Sequence, residues 1–199
     1  RVEASPGFAG WLAACRASLV LSTYQSGKIV WVGSADGRLV LGERGFDRAM
    51  GLSAAGNAIW LATMFQIWRF ERMATPGAGG GGHDRLYLPQ AAYITGLLDT
   101  HDIAADRGGR PVFANTLFNC VATTGERASF TPLWTPPFIT GLVPEDRCHL
   151  NGLAIEDGRV RYVTALSTEN RKKAWRDDKT KGCLIDVARN AVAVEGLSM

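Results

Sequence analysis

The chain has 199 residues, of which 46% are apolar and 21% charged, and its net charge is +3. That is the mix of an ordinary globular chain long enough to bury a sizeable core. Its basicity is too slight and too scattered for a nucleic-acid binder, and no apolar run reaches membrane-spanning length, so neither nucleic acid nor membrane is an expected partner.

The chain opens at Arg1 rather than at a methionine, and the expectation is a trimmed or partial protein. A short helix is expected first. Ser5 suits an N-cap, Pro6 suits the first helical position, and Phe8, Trp11, Leu12 and Cys15 fall on one face. From Ser18 onward the pattern changes to short β-type runs divided by turn residues. Ser18–Tyr24, Lys28–Gly33 and Arg38–Leu41 are three such runs, and Asp36-Gly37 between the last two is a strong hairpin signal.

A repeat then sets the architecture. The stretches beginning Met50-Gly51-Leu52, His101-Asp102-Ile103 and Asn151-Gly152-Leu153 each give a small or apolar strand, a Gly-bearing turn and a strand with a central aromatic. Gly51, Asp102 and Gly152 stand about 50 residues apart, in the range of propeller blades. Further runs follow each: Gln66–Arg72 and Arg85–Leu88, then Phe118–Thr123 and Ala128–Trp134, then Gly182–Val187 and Ala191–Glu195. Four strands per unit make a blade. The expected fold is therefore all-β, one incomplete β-propeller over 1–199. A partial blade spans 18–42, and blades span about 50–98, 101–140 and 149–195. Gly196-Leu197-Ser198 matches Gly51-Leu52-Ser53, so a further repeat is expected to begin there, and the missing C-terminal blades of the same chain would close the ring.

Two segments fall outside the blades. Ala74–Gly82 is Gly-rich and reads as a flexible loop. Thr168–Lys181 is charged and reads as a solvated insertion, or alternatively as a binding loop using Trp175 and its Arg and Lys residues. The four cysteines, Cys15, Cys120, Cys148 and Cys183, fit no zinc spacing. They read as free thiols of a reducing compartment, and with no signal peptide visible the expected location is cytoplasmic.

Several stretches resemble the uncharacterised, mostly bacterial family known as domain of unknown function 4915. They include Ser22-Thr23-Tyr24-Gln25, Trp60-Leu61-Ala62-Thr63, Gln66–Phe70, Pro136-Pro137-Phe138-Ile139, Tyr162–Ala165 and above all Pro144–Ala154 (PEDRCHLNGLA). The resemblance covers nearly the whole chain and implies a six-bladed, TolB-like propeller in a longer protein. It implies no reaction.

In a propeller, ligands sit where the loops entering the first strands converge. That geometry would gather His101-Asp102 and His149-Leu150-Asn151, with Asn115-Thr116 and the hydroxyls of Thr63 and Thr164 on the rim and Glu145-Asp146-Arg147 leading in. The candidates for chemistry are His101, Asp102 and His149; those for ligand binding are Asn115, Thr116, Glu145, Arg147 and Asn151. His101 and Asp102 are adjacent on a strand, so only one of them can point into the channel. The first functional expectation is a module binding a small molecule, glycan or protein segment at the channel mouth. The alternative is a lactone or ester hydrolase assisted by a divalent cation such as Ca²⁺ on Asp102, Asn115 and Asn151, with a His or Asp as base. Arg147 with a neighbouring carboxylate also reads as a salt bridge, and Asn115 and Asn151 as turn residues. Cys148 beside His149 is a poor dyad, because neighbouring strand residues face opposite ways.

Overall fold

A computed structural model describes residues 3–73 and 85–198. Among the described residues it is mostly β, with one short α-helix and four antiparallel sheets. The segment expected as a Gly-rich loop, Ala74–Gly82, lies outside the described residues. The chain groups into two compact units that divide between Ala49 and Met50.

The first unit holds helix α1 (Phe8–Cys15) and a three-stranded sheet in the order β1 (Leu19–Thr23), β2 (Lys28–Ala35), β3 (Arg38–Gly45). The helix begins later than its sequence suggests. Gly7, at φ 87°, is the N-cap with no side-chain hydrogen bond, and Ser5 contributes only its carbonyl, which accepts the Phe8 N–H. Pro6 and Gly7 form a turn ahead of the helix, so Ser5 is too far back to cap it. Only Leu12 of the expected face is buried; Trp11 is exposed and stacks on Phe8. The β2–β3 hairpin turns at Asp36 and Gly37, both at positive φ as a tight two-residue turn requires.

The second unit is a series of three four-stranded sheets. The first runs β4 (Leu52–Ala55), β5 (Ala58–Ala62), β6 (Gln66–Arg72), β7 (Tyr87–Ile94). The second runs β8 (Thr100–Ala105), β9 (Pro111–Asn115), β10 (Cys120–Thr123), β11 (Thr131–Trp134). The third runs β12 (Leu150–Glu156), β13 (Arg159–Ala165), β14 (Gly182–Asp186), β15 (Ala191–Leu197). In each sheet the strands pair in chain order, every pair antiparallel.

The middle sheet is covered on both faces, which is why β9 and β10 are buried throughout and read as continuous apolar runs. Alternation along the strand divides its side chains between two cores. Phe113, Cys120 and Ala122 pack with Trp60, Ile67 and Ile103 toward the first sheet. Val112, Ala114 and Val121 pack with Leu150, Val163 and Ile185 toward the third. The first strands also meet in series, β8 packing against β4 on one side and β12 on the other. The repeat positions come together there. A Cβ on Gly51 would lie 3.0 Å from the Asp102 carbonyl carbon, and one on Gly152 would lie 3.8 Å from the Asp102 carboxylate. Gly51 is thus glycine because a neighbouring strand's backbone occupies the space of a side chain.

Candidate functional site

The site is built where β8 and β12 begin. The third sheet is entered through Pro144–His149, a loop held by buried side chains rather than by ladder bonds. Asn119, fully buried in the β9–β10 turn, accepts the Arg147 N–H at 2.6 Å and the Cys148 N–H at 3.1 Å on its Oδ1. The Asp146 N–H donates to the Leu117 carbonyl. These bonds hold Asp146 and His149 in left-handed backbone, at φ 48° and 52°. For a histidine that conformation costs about 1–2 kcal/mol, and such strain concentrates where geometry serves a site.

Asp146 is the hub. Its side chain is only 7% exposed. His149 Nδ1 lies 2.9 Å from Oδ1 and 3.1 Å from Oδ2, and Trp175 Nε1–H donates to Oδ2 at 2.9 Å. A carboxylate only accepts, so His149 carries its proton on Nδ1. Its Nε2 makes no hydrogen bond among the described residues. The imidazole packs on the Trp175 indole at a tilt of 33°, centroids 4.0 Å apart, and meets the His101 ring edge to face at 4.6 Å. His101 Nε2 in turn faces Asp99 at 3.7 Å. Two imidazoles, His101 in β8 and His149 just ahead of β12, therefore meet, each with a carboxylate beside it.

Trp175 sits in the charged insertion, on a 3₁₀ turn at Ala174–Arg176. That segment reads in the sequence as a solvated insertion or a binding loop using Trp175; in the structure Ala174 is buried and the Lys173 N–H donates to the Asp146 carbonyl. The reason is the pair of bonds to Asp146, one from backbone and one from the indole, which fold the insertion back onto the third sheet's entry loop.

The remaining expected residues have other partners. Adjacent on β8, His101 and Asp102 diverge. Asp102 accepts the Ile103 N–H at 2.8 Å and, across to the third sheet, the Leu153 N–H at 2.9 Å. The β12–β13 ladder breaks between Leu150 and Leu153. Asp102 and the Thr164 hydroxyl, which accepts the Gly152 N–H, take up the amides so released. Thr116 Oγ1 donates to the Leu150 carbonyl, and Thr63 Oγ1 to the Gln66 carbonyl. Asn115 is fully buried, its Oδ1 accepting the Phe118 N–H. Asn151 lies half-buried in the break of the ladder. Arg147 is paired locally, with Glu145 at 2.8 Å and Asn170 at 2.7 Å. Cys120 and Cys148 are buried free thiols; burial pushes Cys120 up to about 12 and raises Cys148 further, so neither is a ready nucleophile.

A Ca²⁺ site would use the oxygens of Asp102, Asn115 and Asn151. Two of these groups already serve backbone amides, and among the described residues no three His, Cys, Asp or Glu side chains gather around a common point. The donor set does not fit a cation.

Burial raises the Asp102 carboxyl above its ordinary value of 3.8, against the pull of the Leu153 and Ile103 amides. The folded state then holds that proton more tightly than the unfolded state. The group's stabilising contribution is full below pH 3.8 and is lost as pH rises through the raised value. Wild-type stability relative to Asp102→Asn should therefore decline from pH 3.5 upward. Urea midpoints of both proteins across pH 3.5–7 check this, and a flat difference would contradict it.

Serial antiparallel sheets in chain order, with a carboxylate-backed pair of imidazoles at two of their entries, define a β-rich protein with a polar cluster between adjoining sheets. The chain belongs to the family described as domain of unknown function (DUF4915), whose model matches residues 6–199. No curated protein matches it. Among solved structures it is similar to AztD from Citrobacter koseri, at 10% identity and TM-score 0.36, covering 92% of this chain and 45% of that one. The apo form of AztD gives 12%, 0.37, 92% and 48%. The Nup170 N-terminal domain–Nup53 complex from Chaetomium thermophilum gives 13%, 0.44, 85% and 26%. The chain thus spans less than half the length of each. Among the described residues no helix is long and apolar enough to cross a membrane.

Proposed function

We propose that the sheets are successive blades of a β-propeller, six-bladed and TolB-like in the intact protein, and that the cluster at the starts of β8 and β12 binds a small molecule, glycan or protein segment. The serial packing of the first strands and the meeting of Gly51, Asp102 and Gly152 support the blade reading. The binding reading is carried by one observation. His149, on tightly held left-handed backbone, approaches His101 edge to face at 4.6 Å, and its Nε2 has no hydrogen-bond partner among the described residues.

A thermal-shift screen of metabolites, oligosaccharides and peptides tests it. A ligand at a hundred times its Kd stabilises by about 2.7 kcal/mol, a rise of roughly 5–10 °C for a chain of this size. The His149→Ala and His101→Ala variants should lose that rise. Hits that stabilise both variants as well as wild type would sink the assignment.

A hydrolytic reading has one point in its favour, the orientation of His149 by Asp146, which suits a general base acting through Nε2. Ester or lactone turnover that disappears in His149→Ala would favour it over binding alone.

A further inference from the structure

The inference rests on the binding reading of the same site and names the ligand's chemistry. The Thr168–Lys181 insertion carries six basic residues and three acidic ones. All three acids are satisfied within it. Asp177 pairs with Arg171, Glu169 with Lys181 at 3.3 Å, and Asp178 accepts the Thr180 N–H and O–H at 2.9 and 2.7 Å. Lys172, Lys173, Arg176 and Lys179 have no carboxylate partner among the described residues. This surplus is not distributed at random over the surface. The insertion is fastened to Asp146 by the Lys173 N–H and the Trp175 indole. The Arg176 guanidinium carbon lies 5.0 Å from the Trp175 ring centroid, and that ring lies 4.0 Å from the His149 ring. Arg176 is therefore held on the indole that packs against His149, and the Lys173 backbone is tied to the residue that holds that imidazole. The carboxylates closest to the site already have partners: Asp146 holds His149 and Trp175, Asp99 faces His101, and Glu145 pairs with Arg147.

We propose that the site takes a phosphate group, in the form that retains a proton. Phosphate oxygens would accept from the exposed Lys and Arg side chains of the insertion. The second requirement is set by the tautomer. With Nδ1–H committed to Asp146, the neutral form of His149 presents a lone pair at Nε2, which calls for a donor. A hydrogen phosphate offers both acceptor oxygens and one P–O–H; sulfate, of similar shape and charge, has no such proton at neutral pH. No bond is made or broken in this binding.

The test uses the 199-residue chain labelled with ¹⁵N-histidine, at pH 7 and constant ionic strength so that general screening does not vary. Inorganic phosphate, sulfate and glucose are titrated in separate arms, and side-chain nitrogen signals of His149 and His101 are followed. Phosphate should move the His149 Nε2 signal saturably, and sulfate should need at least tenfold higher concentration. The exposed double variant Lys173→Glu/Arg176→Glu, checked for unchanged circular dichroism, should bind phosphate at least tenfold more weakly. A further arm with glycerol phosphate separates free phosphate from a phosphate ester as the source. Equal response to sulfate, or full binding by the double variant, would overturn the phosphate assignment. If glucose or a screen hit without phosphate moves the imidazoles and phosphate does not, the phosphate inference fails while the binding reading stands. If neither phosphate nor any screen hit moves them, both fail.

Discussion

Asp146→Asn should leave the chain folded but reverse the tautomer of His149 and weaken ligand binding at least tenfold. The substitution is well suited to isolating the carboxylate. Asparagine tolerates the left-handed backbone that Asp146 adopts at φ 48°, and its shape is nearly the same. Its chemistry differs, because one oxygen is replaced by an NH₂ group. Oδ2 of Asp146 lies near both Trp175 Nε1 and His149 Nδ1, while Oδ1 faces His149 Nδ1 alone at 2.9 Å, so an amide that keeps its oxygen on the indole puts its NH₂ at the shorter contact to the imidazole. If the oxygen serves the indole, the NH₂ faces Nδ1, which must then accept, and the imidazole proton moves to Nε2. Loss of a charge-assisted bond in this buried setting should also lower stability by roughly 1.5–3 kcal/mol. Histidine side-chain ¹⁵N shifts report the tautomer, and urea midpoints report the stability. An unchanged tautomer with unchanged binding would show that Asp146 does not orient His149 in solution.

The unequal legibility of this molecule in its sequence has physical causes. Hairpins were readable because a tight turn restricts residue type locally: Asp36-Gly37 and Asp157-Gly158 both sit at positive φ. The repeat is readable because each unit lays its first strand against the next, which brings the equivalent positions Gly51, Asp102 and Gly152 close together. Its phase alone placed His101 and His149 at the starts of adjoining first strands, and they do meet. The helix starts later than Ser5 and Pro6 suggest because a Pro-Gly turn competes with capping over the same few residues. The hub of the site was harder to see. Asp146 and Trp175 are 29 residues apart, in an entry loop and an insertion, neither of which has periodicity. The available signal was Asp146-Arg147-Cys148-His149, a carboxylate three residues before an imidazole. The signal for Trp175 was a lone aromatic in a charged run, which is also what a solvated loop looks like. Asn115 reads as a turn residue, although its backbone ends β9 and only its side chain serves the turn, accepting the Phe118 N–H. Nothing in the sequence hints that the Asn119 side chain reaches 28 residues along the chain to Arg147.

Asn119→Ala should be among the most damaging single substitutions near the site, although Asn119 touches neither imidazole. The side chain is fully buried, and its Oδ1 is the acceptor for two successive amides, those of Arg147 and Cys148. Alanine leaves both donors without a partner, at about 1–3 kcal/mol for each buried group. It must also adopt φ 57°, which asparagine accepts more readily than alanine does. Against this, the variant removes the buried Nδ2, which has no partner of its own. The net expectation is a loss of roughly 2–4 kcal/mol. Two companion variants divide that figure. Asn119→Gly relieves the backbone and should recover about 1 kcal/mol. Asn119→Asp keeps the acceptor while burying a charge, so it should hold the entry loop but fold less stably at neutral pH than at pH 4, where protonation removes the charge. The positioning role has a signature that general destabilisation lacks. Under strongly native conditions, Asn119→Ala and Asn119→Gly should shift the His149 and His101 nitrogen signals and weaken ligand binding, while Asn119→Asp should leave both near wild type. If all three variants lose stability yet keep wild-type imidazole signals, Asn119 is a packing residue, and the geometry of the histidine pair is set by Asp146 and Trp175 alone.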